Sequence, residues 1–318
     1  GSEMCIRDRH QPEYISGQYI ADQLNISRAA VKKVIDQLKM NGCQIESINH
    51  KGHLLKQLPD QWYSGIVNPI IEQRHIFDYV DVMSTVDSTQ LKAKQALVGN
   101  QDSFIILSDE QTKGRGRFNR YWRSSKGKGL WMSIVLRPDV PYAMIPKFNL
   151  FIALGIRDAI QQFSKHDVTI KWPNDIYIDG KKVCGFLTEM VANYDAIEAI
   201  ICGIGINMNH DVSDFDEEIQ HSATSIRIHS ENNFNRYEFL DVLTQNIECR
   251  YQQFLTVPFG EIREEYIAAT NMWNKQLRFT ENDKQFIGEA IDIDHDGFLM
   301  VKDDEGQLRR LISADIEL

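Results

Sequence analysis

The spacing of apolar residues changes twice along the 318-residue chain, and each change limits what that stretch can fold into. Up to about Met40, apolar residues recur three and four positions apart, as on helices that bury one face. From about Asn271 onward they alternate, as in short strands with one buried face. Between these regions, strand-like and helix-like runs follow one another irregularly. That mixture points to an α+β domain on a mixed sheet. The expected division is residues 1–62, 63–270 and 271–318, with a linker from Pro59 through Pro69 anchored by Trp62 and Tyr63.

The first region reads as a winged helix-turn-helix. Ile20, Ala21 and Leu24 share one helical face, Asn25-Ile26 makes a turn, and Ser27 is suited to cap the next helix. That second helix, Arg28 to about Met40, turns Ala30, Val31, Val34, Ile35 and Leu38 inward and presents Arg28, Lys32 and Lys33 outward. The helix-turn-helix covers about residues 17–36 and a two-stranded wing about 45–57, with Lys51 in its turn. Arg28, Lys32, Lys33 and Lys51 are therefore the candidate DNA contacts. Such a fold needs a covering first helix, for which Met4, Cys5 and Ile6 are the available apolar cluster.

Charge supports that placement. The whole chain carries −10, yet residues 1–60 hold eight Lys/Arg against seven Asp/Glu, so nucleic-acid contact is expected there and not elsewhere. Five scattered cysteines without a CxxC pair suggest reduced thiols in the cytoplasm and no fixed metal site. No apolar run is long enough for a membrane span.

Two clusters in the middle region carry chemistry. Gln111-Thr112-Lys113-Gly114-Arg115-Gly116-Arg117 spaces cations by glycines, so guanidinium groups and backbone N–H can converge on an anion. It is neither a P-loop nor a dinucleotide turn. Lys171-Trp172-Pro173-Asn174-Asp175, with Lys181-Lys182 shortly after, gathers lysines, an amide and a carboxylate suited to phosphate and magnesium. A solvated basic loop and a charged hairpin are the bland alternatives.

Asp87-Ser88-Thr89, residues 111–117, 171–175, Lys181–Leu187 and Gly203-Ile204-Gly205-Ile206-Asn207 occur in the order and spacing found in biotin–protein ligases. Together with the N-terminal helix-turn-helix, the chain from about Tyr14 to Leu318 resembles the regulatory, repressor-type members. The resemblance implies a class II synthetase-like central domain and a C-terminal SH3-like barrel. It also implies biotin and ATP, with Mg²⁺, as substrates for biotinoyl-AMP formation. By the same resemblance, biotin would then pass to a lysine of a biotin carboxyl carrier protein of acetyl-CoA or pyruvate carboxylase. Biotinoyl-AMP would serve as corepressor for a homodimer on operator DNA.

By position, the resemblance assigns biotin contacts to Ser88, Thr89, Gln90, Gln111, Arg115, Gly116, Arg117 and Lys182, with Arg117 and Lys182 catalytic. It assigns nucleotide contacts to Trp122, Lys171, Asn174, Asp175 and Asn207. Gln90 and Asn119 depart from the usual pattern, where Asn and Gly are common. A ligase with a truncated or silent DNA-binding region, or a lipoate–protein ligase, are the alternatives. In the tail, Asp292, Asp294, Asp296, Gly297 and Asp303 imitate a calcium loop, but their flanks alternate at period two, so an Asp-Gly hairpin is expected.

Overall fold

The computed structural model describes residues 13–117, 120–193, 196–230, 235–281, 284–312 and 314–317. The expected covering helix at Met4–Ile6, Cys5 and Asn119 lie outside them. The chain separates into two compact units, one ending at Ile66 and the other running from Val67 to Leu318.

In the first unit, α1 (Gly17–Leu24) and α2 (Arg28–Met40) form as the capping residues dictate. Ser16 accepts from the Tyr19 N–H at 3.0 Å and Ser27 from the Ala30 N–H at 3.1 Å. Between the helices, Asn25 takes a left-handed conformation. Ala21, Val31 and Ile35 are buried together, with Ile20 and Ile45 packed against them. Leu24 and Val34, expected inward, are exposed among the described residues. The wing is β1 (Gln44–Ile48) paired antiparallel with β2 (Gly52–Gln57).

The wing has a third contributor that the spacing did not reveal. Ile15 and His53 exchange both backbone hydrogen bonds, at 2.9 and 2.8 Å. Gly52 makes this possible: its φ is +112°, and a Cβ there would lie 2.2 Å from the Ile15 carbonyl oxygen. Gly52→Ala is expected to break the bridge and destabilise this unit by about 1–3 kcal/mol. Amide exchange at Ile15 and His53 reads this directly. Unchanged protection there would refute the dependence on Gly52.

The expected linker ends in a helix instead. α3 (Ser64–Ile71) forms despite Pro69 because Val67, Ile70 and Ile71, at helical spacing, are buried. A seven-stranded sheet follows, built from β3 (Tyr79–Val86), β4 (Phe104–Gln111), β5 (Gly129–Leu136), β6 (Val168–Lys171), β7 (Asp175–Ile178), β8 (Lys181–Asn193) and β9 (Ala196–Asn207). Its order is β3-β4-β5-β9-β8-β7-β6, and only the β3–β4 pair is parallel. β5 is buried along its whole length, which explains its nearly continuous apolar run. α4 (Thr89–Ala96) packs Ala93 on Phe104, Ile106, Val135 and Ile201. α5 (Ile145–Gln161) and α6 (Arg236–Thr256) pack through aromatic edges, with Phe254 5.5 Å from Phe148 and 5.9 Å from Phe151 between ring centroids. Aromatic and branched residues at helical spacing thus become core.

α7 (Arg263–Ala269) leads into a five-stranded antiparallel sheet of β10 (Gln276–Glu281), β11 (Lys284–Ile293), β12 (Leu299–Asp303), β13 (Leu308–Leu311) and β14 (Asp315–Glu317). Its order is β13-β12-β11-β10-β14, and β14 was not anticipated. The calcium-loop imitation resolves into a hairpin turn flanked by β11 and β12. The Asp294 carboxylate accepts from the Asp296 and Phe298 amides at 2.9 Å, and Arg310 binds Asp294 and Asp296. Lys147 on α5 reaches Asp296 at 3.3 Å, tying this sheet to the central one.

His210, just beyond β9, is 4% exposed and stacks on Phe215 at 5.1 Å. Burial pushes its pKa down to about 4, outweighing the pull of Asp214 toward the protonated form. The unfolded chain takes up this proton near pH 6.5, the folded one only near 4. The stability held by neutral His210 is therefore complete above pH 6.5 and is lost as pH falls toward 4, a loss of about 3 kcal/mol. Urea midpoints of the wild type and His210→Phe should diverge across that window. Parallel pH profiles would exclude His210 as the source.

Candidate functional site

The alternation of the central sheet brings the two chemistry-bearing clusters together. Ser133 pairs with Gly203, and Gly203 with Leu187; Gly205 pairs with Gly185. Paired residues share a face, so these positions form one surface. On it opens a cavity lined by Ser88, Thr89, Gln90 and Gln111 at one end and by Trp122, Asp175 and Lys182 at the other. Arg115, Gly116, Arg117, Arg120 and Tyr121 form its loop wall.

The polar end is locked by a hydrogen-bond network. The Gln111 side-chain oxygen accepts from the Thr89 N–H at 2.8 Å and the Thr89 hydroxyl at 3.1 Å, while its amide donates to Ser124 at 2.9 Å. Ser133 donates to Thr89 at 2.8 Å and lies 3.0 Å from the Gln90 oxygen. The Gln90 amide donates to Glu189 at 2.8 Å. A Cβ at Gly203 would stand 2.6 Å from the Gln90 oxygen, so any larger residue there would push the Gln90 amide out of this network. Ser88 caps α4, accepting from Leu91 at 3.4 Å.

The charged end rests on a second glycine pair. The Trp122 indole lies over Gly205, where a Cβ would stand 2.6 Å from its Nε1, and next to Gly185. Among the described residues that buried Nε1 has no hydrogen-bond partner. The Lys182 ammonium sits 5.3 Å from the Trp122 ring centroid and 2.8 Å from the Asp175 carboxylate. Its backbone is held as well: the Lys182 N–H donates to Ser222 and its carbonyl accepts from Thr224, at 2.8 and 2.9 Å.

Arg117 reaches out of the loop to two elements. One guanidinium nitrogen donates to the Asn174 side chain at 3.1 Å and to the Ala314 carbonyl at 3.3 Å, just before β14. Asn174 is 7% exposed, and its amide donates to the Phe186 carbonyl at 2.6 Å. Asn174 therefore holds Arg117 to β8.

Two expected residues are not brought to the cavity wall. Lys171, on edge strand β6, turns to Tyr177, donating to its hydroxyl at 3.2 Å. Asn207 is buried at the end of β9 and donates to the Thr224 carbonyl at 3.1 Å. Its side chain is linked to the site through Thr224, whose N–H holds the Lys182 carbonyl. Conversely, Arg120, Tyr121, Gly185, Gly203 and Gly205 line the cavity without having been assigned a contact, although the three glycines stand inside the motifs that carry the resemblance. The two-residue repeat of glycine in Gly203-Ile204-Gly205 was the available signal, since period two places both on one face.

The helix-turn-helix unit presents its own surface. Arg28, Lys32, Lys33 and Lys51 are all exposed. Lys51 lies 5.5 Å over the Tyr14 ring.

Comparisons with known proteins agree with this geometry. Residues 82–207 match the biotin/lipoate A/B protein ligase family, 7–54 an HTH domain and 274–318 the biotin protein ligase C terminal domain. The chain is 37% identical to the bifunctional ligase/repressor BirA of Bacillus subtilis over 317 residues, covering 96% of this chain and 94% of the relative. Identity to the Escherichia coli protein of the same name is 24%, covering 96% of this chain and 93% of the relative. The biotin protein ligase of Aquifex aeolicus, solved with biotin and ATP, is similar with a TM-score of 0.65 and 26% identity. That likeness covers 76% of this chain and 99% of the other. The chain belongs to the biotin–protein ligase family, in its bifunctional ligase/repressor branch.

Proposed function

We propose that the chain adenylates biotin with ATP, transfers the biotinoyl group to a lysine of a carboxylase carrier domain, and represses biotin genes when the adenylate is bound. The observation that carries this reading is the meeting of Ser88, Thr89 and Gln111 with Lys182, Asp175 and the arginine loop in one cavity. The hydroxyl and amide end suits biotin's fused rings, and the cationic end suits a carboxylate beside a phosphate. Trp122 offers a face to the adenine.

In the first step a biotin carboxylate oxygen attacks the α-phosphorus of ATP. The bond from that phosphorus to the bridging oxygen breaks, and pyrophosphate leaves. Two anions must approach, so Lys182 and the guanidinium groups of Arg115 and Arg117 offset their repulsion and stabilise the transition-state charge. Asp175 would hold a magnesium ion brought with ATP, which would supply further charge neutralisation at the phosphates, and Lys182 would then shift from Asp175 to substrate oxygens. In the second step the carrier lysine's neutral amine attacks the biotinoyl carbonyl, AMP departs and the amine gives up a proton. Alignment of the reactants could supply about 7–11 kcal/mol. Closure of the loop that carries Arg115, Gly116 and Arg117, with Arg117 as its latch, would keep water from the anhydride.

Asn174 then acts by positioning Arg117. Lys171 and Asn207 would contribute to nucleotide binding only through their neighbours. Carriers of the acetyl-CoA or pyruvate carboxylase class, a homodimer of the adenylate-bound form, and a cytoplasmic setting complete the proposal. The free thiols of Cys43, Cys184, Cys202 and Cys249 support a reducing compartment. Among the described residues no helix is long and apolar enough to cross a membrane. Arg28, Lys32, Lys33 and Lys51 would meet operator DNA, and dimerisation would match a two-fold site.

The test is fluorescence anisotropy of a labelled two-fold operator from upstream of biotin-synthesis genes. The protein is added with biotin, MgATP, or both. Tight, salt-sensitive binding only with both present is the expected result. Absence of binding in every condition, with adenylate made normally, would reject the repressor half and leave the ligase half standing.

A further inference from the structure

Away from the cavity, three side chains from distant parts of the sequence converge. His166 follows α5, Asp179 occupies the β7–β8 turn, and His229 ends a short helical turn at Arg227–His229. One His166 ring nitrogen, Nδ1, lies 2.5 Å from the Asp179 Oδ2, and the Nδ1 of His229 lies 3.4 Å from the same oxygen. All three potential ligand atoms fall within 4.8 Å of one another.

The backbones that present them are fixed. Asp179 has φ +49° and Gly180 +75°, which pins the carboxylate at a tight hairpin tip. The His166 carbonyl accepts from Ser164 at 2.9 Å and from the Gln161 amide at 3.1 Å. His229 is largely buried, and its remaining nitrogen, Nε2, lies 2.8 Å from the Thr224 hydroxyl. That contact leaves Nδ1 facing Asp179. An imidazole whose far nitrogen is engaged by a fixed polar group has the arrangement of a metal-bound histidine.

We propose that His166, Asp179 and His229 form a binding site for a divalent transition metal of the zinc class. Two imidazoles and one carboxylate suit such an ion, with a fourth position left to water. In a tetrahedral zinc site, ligand atoms stand about 3.3 Å apart. The His229–Asp179 spacing of 3.4 Å already meets that, and the half-exposed His166 ring need only swing outward from 2.5 Å. The site lies behind the catalytic lysine. Thr224, which meets His229, donates its N–H to the Lys182 carbonyl and accepts from Asn207. A bound ion would therefore join the β7–β8 turn to residues 222–229 and stiffen the strand that carries Lys182.

The test is calorimetric titration of zinc chloride into the full chain, stripped of metal and kept reduced, beside His166→Ala and Asp179→Asn. Both substitutions are at half-exposed positions, and Asn tolerates the left-handed backbone of residue 179. The wild type is expected to bind one equivalent that each variant binds at least about tenfold more weakly. Zinc should also slow amide exchange at Thr224 in the wild type and in neither variant. Isotherms and exchange that are the same in all three proteins would overturn the assignment, because any zinc then taken up goes to other histidines or thiols. Metal-free melting curves of the variants that match the wild type make this comparison independent of folding.

Discussion

Lys182→Met will lower the rate of adenylate formation by about 10²–10³-fold, in the range found when one preorganised charge donor is removed from a transition state. Methionine keeps much of the side chain's length and removes the ammonium that lies 2.8 Å from Asp175 and 5.3 Å from the Trp122 ring centroid. Because that charge is needed most as two anions merge, kcat should fall more than KM for biotin rises. Single-turnover measurement of pyrophosphate release at saturating biotin and ATP separates the two effects. A loss confined to KM would assign Lys182 to ground-state binding alone. A rate within threefold of wild type, on the order of 0.6 kcal/mol, would remove it from the chemistry altogether.

Arg236→Met is expected to cost about 3–5 kcal/mol in stability, because it takes a guanidinium away from a buried carboxylate. Arg236 is 6% exposed and Asp109 2%, and their charged groups meet at 3.4 Å. Arg236 begins α6, where a positive charge opposes the helix dipole, so the arginine is not there to serve the helix end. Asn235 caps that end instead, accepting from the Tyr237 N–H at 2.8 Å. Asp109 stands two residues before Gln111 on β4, so the pair also braces the strand that holds Thr89. Thermal melting should show a drop of roughly 10 °C. Replacing both charges, as in Arg236→Met with Asp109→Leu, should recover part of it, since the buried carboxylate is removed together with its guanidinium. A single variant as stable as wild type would mean that the carboxylate finds its compensation elsewhere.

Much of the molecule was decided locally and could be read from the chain. Ser16, Ser27 and Ser88 cap the helices they precede, since a hydroxyl before an apolar helical pattern satisfies free N–H groups wherever the chain goes next. The Asp179-Gly180 and Asp296-Gly297 turns formed because they need only left-handed backbone. The glycine-spaced arginines and residues 171–187 were visible as two chemical clusters for the same reason: their composition is unusual in itself.

What the chain did not disclose depends on partners far away in sequence. Helix α3 replaced an expected linker because burial of Val67, Ile70 and Ile71 outweighs the proline signal. Ile15 joined the wing only because Gly52 leaves its carbonyl room. Lys171 and Lys182 both belong to basic clusters, yet strand order sends one to an outer edge beside Tyr177 and the other into the cavity. The His166–Asp179–His229 cluster fits no spacing motif, since a sheet turn and two loops assemble it. Residue type and period therefore determined most of the elements, α3 and β14 apart, and which chemistry the chain carries. Strand pairing and burial, which are long-range, decided which side chains meet: the register that sets Gly185 against Gly205 gives Trp122 its place and brings Lys182 alongside it.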